Sequence, residues 1–343
     1  MTNTPPLAEW LATCLASRTG GLYFIGAFDR RVTFFSQQVR ALRLAHAIAG
    51  LDVGDASKPV AVVGAGAAGV TAALALALAG RKVTLYDPAS EILHLQSASP
   101  RLLHPHIYEW PQLGSLDERA GLPLLDWSAA TGGAVCASLT DEFKMARTKL
   151  PGLLFKGGHQ LVALERHGDE WRLSFGQGDY RRHRLVLLTM GFGEEKRCGD
   201  AVPTDYWKPS GIGTAAVEPA SGATYLVSGN GDGGLTDLLG LLVKKFEHVT
   251  FTHEFLASAP GSALHAATNA ALAGRADGVD VEAFLSQHLR PVLAEYGVLD
   301  ELGGRLRDDR VITMNSRGPL FVANRAAQLN QCMAYAVLEA AKL

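Results

Sequence analysis

The sequence predicts an α/β fold: a parallel sheet with helices on its faces, an antiparallel meander, and a second strand–turn–helix unit like the first. Three observations predict it. Pro59–Asp87 reads as strand, glycine turn, helix, strand and acid. Gln160–Leu188 changes to period-two alternation. Tyr225–Phe246 repeats a strand, a glycine turn and a helix.

The first unit is the one around which the chain is organised. Val60–Val63 is a short β-branched run suited to a strand buried on both faces. Gly64, Gly66 and Gly69 form G-x-G-x-x-G. The first glycine permits a tight turn, the second lets a pyrophosphate approach the backbone, and the third lets helix and strand pack closely. The helix expected over Ala67–Ala79 is almost all Ala and Leu, which favours helix and burial on most sides. Its first turn, Ala67 and Ala68 included, offers free N–H groups and a positive dipole end to a diphosphate. Gly80 stops the helix. Lys82–Tyr86 is the second strand, and Asp87 follows it where a carboxylate accepts hydrogen bonds from a ribose diol. Strand, helix and acid together point to dinucleotide binding rather than a glycine turn that binds nothing. Asp87 favours an unphosphorylated ribose, hence FAD or NAD rather than NADP at this turn.

The composition sets bounds. The 343 residues suffice for two domains. With 48% hydrophobic and 19% charged residues, the chain is globular rather than disordered. A net charge of −2 and the lack of a basic patch argue against a nucleic-acid partner. Cys14, Cys136, Cys198 and Cys332 are far apart and form no C-x-x-C pair, which disfavours a dithiol redox centre or zinc ribbon. The expected setting is a reducing cytoplasm, without signal peptide or membrane span; the apolar run Val70–Ala79 is too short to cross a bilayer.

Residues 1–58 precede the first unit as a helical arm. Leu7–Ser17 and Phe35–Ala49 have helical spacing, Gly21–Phe28 reads as a strand or a packed loop, and Leu51–Lys58 as a linker. This arm either covers the cofactor or serves as an oligomer contact. After Asp87 comes Arg101–Gln112, RLLHPHIYEWPQ, which packs Arg101, His104, His106, Tyr108 and Trp110 close together. Pro105 and Pro111 force an extended or turning backbone. The segment after the second strand of such a sheet lies near the cofactor crevice. His104 and His106 therefore read as an acid/base pair or as substrate ligands, or else as loop residues that satisfy buried backbone. An H-x-H pair also suits half of a metal site, but no acidic or cysteine partner lies nearby and no metal is expected.

Asp141–Lys149 is a predicted helix. Gln160–Arg166, Glu170–Phe175 and Tyr180–Leu188 are three strands split by turn signals. The last runs into Thr189-Met190-Gly191, where Gly191 allows a close approach to the cofactor. Glu194–Gly222 is loop-rich. In the second unit, Tyr225–Ser228 is the strand, Gly229, Gly231 and Gly234 the glycine turn, Leu235–Phe246 the helix and Val249–Thr252 the next strand. Thr252 and His253 stand where the ribose acid would be, which prefers NADP(H) over NAD(H). Asp232 puts a negative charge in the phosphate loop, so the loop is also open to readings as a relic or as a site for a substrate amine. Helices are expected over Val281–Tyr296, Val298–Leu306 and Val322–Ala341, and a strand over Val311–Met314.

Together, VAVVGAGAAGVTAALALALAGRKVTLYD, the meander HQLVALERHGDEWRLSFGQGDYRRHRLVLLTMG and YLVSGNGDGGLTDLL resemble the FAD-dependent oxidoreductases with two Rossmann-like dinucleotide-binding domains, the layout of flavin monooxygenases, N-hydroxylating monooxygenases and disulfide-reductase-like flavoproteins. The resemblance implies that Gly64, Gly66 and Gly69 hold the FAD pyrophosphate and Asp87 the adenosine ribose. It implies that Val162 brackets the adenine side through its backbone, that Gly191 lies by the diphosphate, and that the N-terminus of the Val322–Ala341 helix faces the flavin ring. Two departures are visible: the C-x-x-C of disulfide reductases is absent, and Arg317-Gly318-Pro319 stands where a Gly-Asp pair usually closes the FAD site. The implied layout is an arm over 1–58, the FAD-binding domain from 59 to 200, a second nucleotide-binding domain over 222–310, and a return to the FAD domain over 311–343. The expected activity is an NAD(P)H-dependent monooxygenase or reductase on a small molecule, with Arg101, His104 and His106 handling substrate or protons. The competing readings are a flavin oxidase or dehydrogenase without nicotinamide, acting on a small amine or acid, and a flavin-binding sensor or complex subunit. A homo-oligomer is compatible with each.

Overall fold

The structure is a computed structural model that describes residues 6–26, 32–176, 178–191, 206–208, 212, 222–272, 280–323 and 325–342. The chain forms two compact units: Met1–Ala98 with Arg119–Glu194, and Ser99–Glu118 with Glu195–Leu343.

The first unit holds a five-stranded sheet in the order Leu22–Phe24, Val186–Leu188, Val60–Val63, Val83–Tyr86, Leu153–Lys156. All its pairings are parallel. The central strands Val60–Val63 and Val83–Tyr86 are buried at every residue, which explains their unbroken apolar runs. The helix Ala67–Leu78 buries nine of its residues, in keeping with its Ala/Leu sequence. It ends in a Schellman motif. Gly80 takes φ +83°, Gly80 N–H donates to the Ala77 carbonyl and Arg81 N–H to that of Leu76, each at 3.0 Å.

The meander is antiparallel: Leu161–His167 with Glu170–Phe175, and that strand with Asp179–His183. Trp171, Leu173 and Phe175 alternate inward and pack with Leu22, Ala61, Val63, Tyr86 and Val186 of the sheet. The expected third strand is two elements, because Val186–Leu188 leaves the meander and joins the parallel sheet between Val60–Val63 and Leu22–Phe24. The strand Leu153–Lys156 at the far edge carries no expectation from the sequence. The helix expected over Asp141–Lys149 begins earlier, at Gly132, where the Thr131 hydroxyl accepts the Ala134 N–H.

The N-terminal segment is part of this unit and contributes more than helices. Leu22–Phe24 is an edge strand of the sheet. Phe34–Gly50 packs against Ala67–Leu78 and buries Ala41, Leu44, Ala45, Ala47 and Ile48. Its start is fixed by a capping box in which the Thr33 hydroxyl accepts Ser36 N–H and the Ser36 hydroxyl accepts Thr33 N–H, both at 2.9 Å.

In the second unit, Thr224–Ser228 pairs in parallel with Val311–Asn315. Around them lie the helices Asp232–Leu242, His248–Ala257, Gly261–Leu272, Val281–Glu295, Val298–Gly304 and Gln328–Ala340. The last is the centre of the core, with Cys332, Met333, Ala334, Ala336 and Val337 fully enclosed. Two expectations change here. Val249–Thr252 is helix, not strand: the Glu247 carboxylate accepts Val249 and Thr250 N–H groups as an N-cap, and Phe251 and Phe255, one helical turn apart, are buried. Val311–Asn315 and Gln328–Ala340, which the sequence reading returns to the first domain, pack within this unit instead, and the helix starts at Gln328 rather than Val322. Glu194–Gly222 lies almost wholly outside the described residues, as does Cys198; Cys14, Cys136 and Cys332 are free and buried. Among the described residues no helix is long and apolar enough to cross a membrane.

Candidate functional site

The first glycine turn is tight at its first and third glycines and open at the middle one. Gly64 takes φ +106°, and its N–H donates to the Tyr86 carbonyl at 2.8 Å. A Cβ there would sit 2.6 Å from the Thr189 carbonyl oxygen. A Cβ on Gly69 would fall well inside contact distance of the Gly64 carbonyl oxygen. Both glycines are therefore demanded by the protein's own packing. Gly66 is different: a Cβ there meets nothing within 4 Å. It is also the N-cap of Ala67–Leu78, and no side chain caps that helix. The first intrahelical bond is Val70 N–H to the Gly66 carbonyl, so the N–H groups of Ala67, Ala68 and Gly69 have no partner within the helix, which suits an anion.

Thr189 locks the turn to the neighbouring strand. Its hydroxyl donates toward the Val63 and Gly64 carbonyls, each at 2.8 Å, and its N–H to Val63. This brings Gly191, at φ +63° and with no neighbour in a Cβ position, to the same end of the sheet. Asp87 is only 5% exposed and shapes the turn. It accepts Ala65 N–H at 2.6 Å on one oxygen and Ala89 N–H at 2.8 Å on the other. A carboxylate has about four acceptor sites, so two remain for hydroxyl donors. Val162 is exposed and lies at a bulge in the meander, where the ladder leaves a backbone group unpaired. Gly26 ends the N-terminal strand at φ +108°, with the Gln37 side-chain oxygen against it; the Gln37 amide nitrogen is buried without a hydrogen-bond partner. These groups, Gly66 and the uncapped helix above all, fit an FAD diphosphate.

Arg101, His104 and His106 all belong to the second unit. Arg101 is 1% exposed and donates to the protein through Nε and Nη2, while Nη1 is buried without a hydrogen-bond partner among the described residues. Nε donates to the Tyr206 carbonyl (2.6 Å), and Nη2 to the Ile212 carbonyl (2.7 Å) and the Asp237 carboxylate (2.6 Å). Its plane also lies 3.7 Å over the Tyr206 ring. This is an internal clamp rather than a group open to substrate. His104 uses Nδ1 to accept N–H from His106 (3.2 Å) and Ile107 (3.1 Å), starting the short helical turn Ile107–Glu109. Burial, then the neighbouring His106, hold its pKa below the ordinary value. Because Nδ1 accepts, the ring hydrogen lies on Nε2. His253 and Glu118 are also close enough to act on its charge. Among the described residues no group of three or more His, Cys, Asp or Glu could hold a metal ion.

The second glycine turn repeats the first almost angle for angle. Gly229 takes φ +105°, beside +106° at Gly64. Gly231 takes φ −82° and ψ −174°, beside −77° and −172° at Gly66. Gly234 again has no room for a Cβ against the Gly229 carbonyl, and Gly231 again has open space. Asp232 is turned to another task. Its Oδ1 accepts Ala327 N–H and the Asn330 amide, both at 2.7 Å, and Tyr108 donates its hydroxyl to the carboxylate. The charge thus serves the N-terminus of Gln328–Ala340, whose dipole it matches. Burial pushes the Asp232 pKa up and that of Tyr108 well up. The sequence reading did not find Thr189, Gln37 or Asn230 as site residues. Asn230, which donates to the Pro319 carbonyl at 2.8 Å, carried a signal as the variable residue inside the glycine turn.

Residues 59–202 match the family model described as FAD dependent oxidoreductase, which is less than half of the chain. No curated protein matches. Among solved structures, the chain is similar to a flavin-containing monooxygenase from Stenotrophomonas maltophilia, with 20% identity, TM-score 0.37, and 56% of this chain and 55% of that chain covered. It is similar to Lactococcus lactis thioredoxin reductase, with 16% identity, TM-score 0.35, and 53% and 52% covered. It is also similar to OTEMO solved in complex with FAD and NADP, with 13% identity, TM-score 0.37, and 55% and 37% covered. The chain thus spans about half or less of the length of these structures.

Proposed function

We propose, from the premise that residues 59–202 form an FAD-dependent oxidoreductase domain, that the chain is an NAD(P)H-dependent flavin monooxygenase or reductase acting on a small molecule. One observation carries this reading: the chain has two glycine turns of the same geometry, each with a middle glycine facing open space, so it has cradles for two dinucleotides. FAD bound at the first turn supplies two-electron chemistry. The chain's own groups bind and orient. Gly66 leaves room for the diphosphate, the N–H groups of the Ala67–Leu78 helix offset its charge, and Asp87 holds the turn in shape while keeping acceptors for a ribose diol. His104 is the candidate hydrogen-bond donor to a substrate, because its Nδ1 accepts backbone N–H groups and leaves the Nε2–H to point elsewhere. The commitment of Asp232 to Ala327, Asn330 and Tyr108 weighs against a substrate amine at that carboxylate, and so against the oxidase reading that invokes it.

The test is the absorbance spectrum of the purified protein before and after anaerobic NADPH and then NADH. Flavin bands that bleach within seconds support the reading. Flavin bands that persist with both donors, while a small amine or acid bleaches them, would replace it with a flavin oxidase.

A further inference from the structure

The pairing of Thr224–Ser228 with Val311–Asn315 changes which residue stands where the second nucleotide's ribose is read. In the first unit, Val63 is in register with Tyr86, Gly64 N–H donates to the Tyr86 carbonyl, and the next residue is Asp87. In the second, Ser228 is in register with Asn315, and Gly229 N–H donates to the Asn315 carbonyl at 2.8 Å. The backbone angles at the two turns agree within a few degrees. The residue in the place of Asp87 is therefore Ser316, and Arg317 comes directly after it. Thr252 and His253, read from the sequence as holding that place, lie in the His248–Ala257 helix.

The chemistry of that pair differs from Asp87. A carboxylate accepts hydrogen bonds from a free 2′,3′-diol and repels a phosphate on it. A neutral serine does not repel that phosphate, and a guanidinium does the reverse of a carboxylate: it donates, and the cation pairs with a phosphate dianion. The Ser316 hydroxyl donates to the Gly318 carbonyl at 2.6 Å, which bends the loop just past Arg317. Asn230 holds the same loop from the glycine turn, through the Pro319 and Leu320 carbonyls. Arg317 is exposed and makes no hydrogen bond or ion pair among the described residues. We propose that Arg317, on the loop that Ser316 bends, binds the 2′-phosphate of NADP(H) and sets the preference of the second turn for NADP(H) over NAD(H). This rests on the reading that the second turn holds a nicotinamide dinucleotide.

Calorimetric titration of NADP⁺ and of NAD⁺ into the full chain tests it, with Arg317→Ala, Ser316→Asp and Gly231→Val alongside. The expected wild type binds NADP⁺ at least about tenfold more tightly than NAD⁺, a single charge-assisted contact being worth about that factor. Arg317→Ala should weaken NADP⁺ about tenfold or more and leave NAD⁺ within about twofold. Ser316→Asp should move the preference toward NAD⁺, and Gly231→Val should weaken both. Equal wild-type affinity for the two, or an Arg317→Ala variant that keeps NADP⁺ affinity or loses both alike, overturns the assignment while the nucleotide site stands. Wild type that binds neither overturns the site and the assignment together.

Discussion

At the scale of single residues, the structure separates glycines that the fold needs, Gly64 and Gly69, from Gly66, where a Cβ meets no protein atom within 4 Å. Gly69→Ala drives a methyl into the Gly64 carbonyl and 2.7 Å from the Thr189 hydroxyl. We expect it to lower stability by roughly 2–4 kcal/mol, seen as a lower urea midpoint with an unchanged slope. Arg101 makes a second prediction. It is enclosed by Tyr206, Ile212 and Asp237, so Arg101→Met removes one partner of a buried ion pair and three hydrogen bonds. A loss of about 3–5 kcal/mol is expected, and Arg101→Lys should not restore it, because an ammonium cannot reproduce the planar fork. A third concerns pH. Burial, then the charge of Arg101, push the His248 pKa down to about 4. The unfolded chain takes up that proton first, near the ordinary value of 6.5, so stability is full above pH 6.5 and falls as pH drops from there toward about 4. Unfolding free energies from urea titrations at pH 7.5 and 4.5 should differ by an amount on the order of 2 kcal/mol more in wild type than in His248→Phe.

At the scale of elements, local signals were legible where they were complete within a few residues. The strand–glycine–helix–strand run of the first unit and the alternation of Trp171, Leu173 and Phe175 could be read because period and turn chemistry agree. Pairings between distant segments could not. Leu153–Lys156 and Leu22–Phe24 are short edge strands whose place depends on neighbours far along the chain. Val249–Thr252 has β-branched residues, but Glu247 caps a helix there and the spacing of Phe251 and Phe255 is helical, so packing overrides propensity. The true partner of Thr224–Ser228 comes after several intervening helices, a separation that no period reveals. The role of the N-terminal segment was underestimated for the same reason: its helical spacing showed, and its sheet pairing did not. The Phe34–Gly50 helix gives the test at this scale. Thr33→Ala removes one side of its capping box and should cost about 1 kcal/mol. Leu44→Ala opens a cavity at a fully buried contact and should cost about 2–5 kcal/mol. If both left the unfolding midpoint unchanged, the segment would not be part of the first unit's cooperative core.

At the scale of the whole molecule, the chain is two units, each with a parallel strand pair, a glycine turn and an uncapped helix start. They differ in the residues at the end of the second strand of each pair. Asp87 is a carboxylate bound into the turn, while Ser316 is a hydroxyl tied to the Gly318 carbonyl and Arg317 an exposed cation. The central claim is that the turn Gly64–Gly69 holds FAD, and Gly66 is where it can be tested without disturbing the fold, because a Cβ there meets no protein atom within 4 Å. The measurement is a titration of FAD into flavin-free protein, followed by the change in flavin fluorescence, for wild type and Gly66→Ala, with thermal melting of both. We predict saturable one-to-one binding in wild type, affinity lower by about tenfold or more in Gly66→Ala, and melting temperatures of the flavin-free proteins within about 2 °C of each other. Wild type that binds no FAD, or a Gly66→Ala variant that binds it as tightly, would contradict the assignment of this turn to FAD.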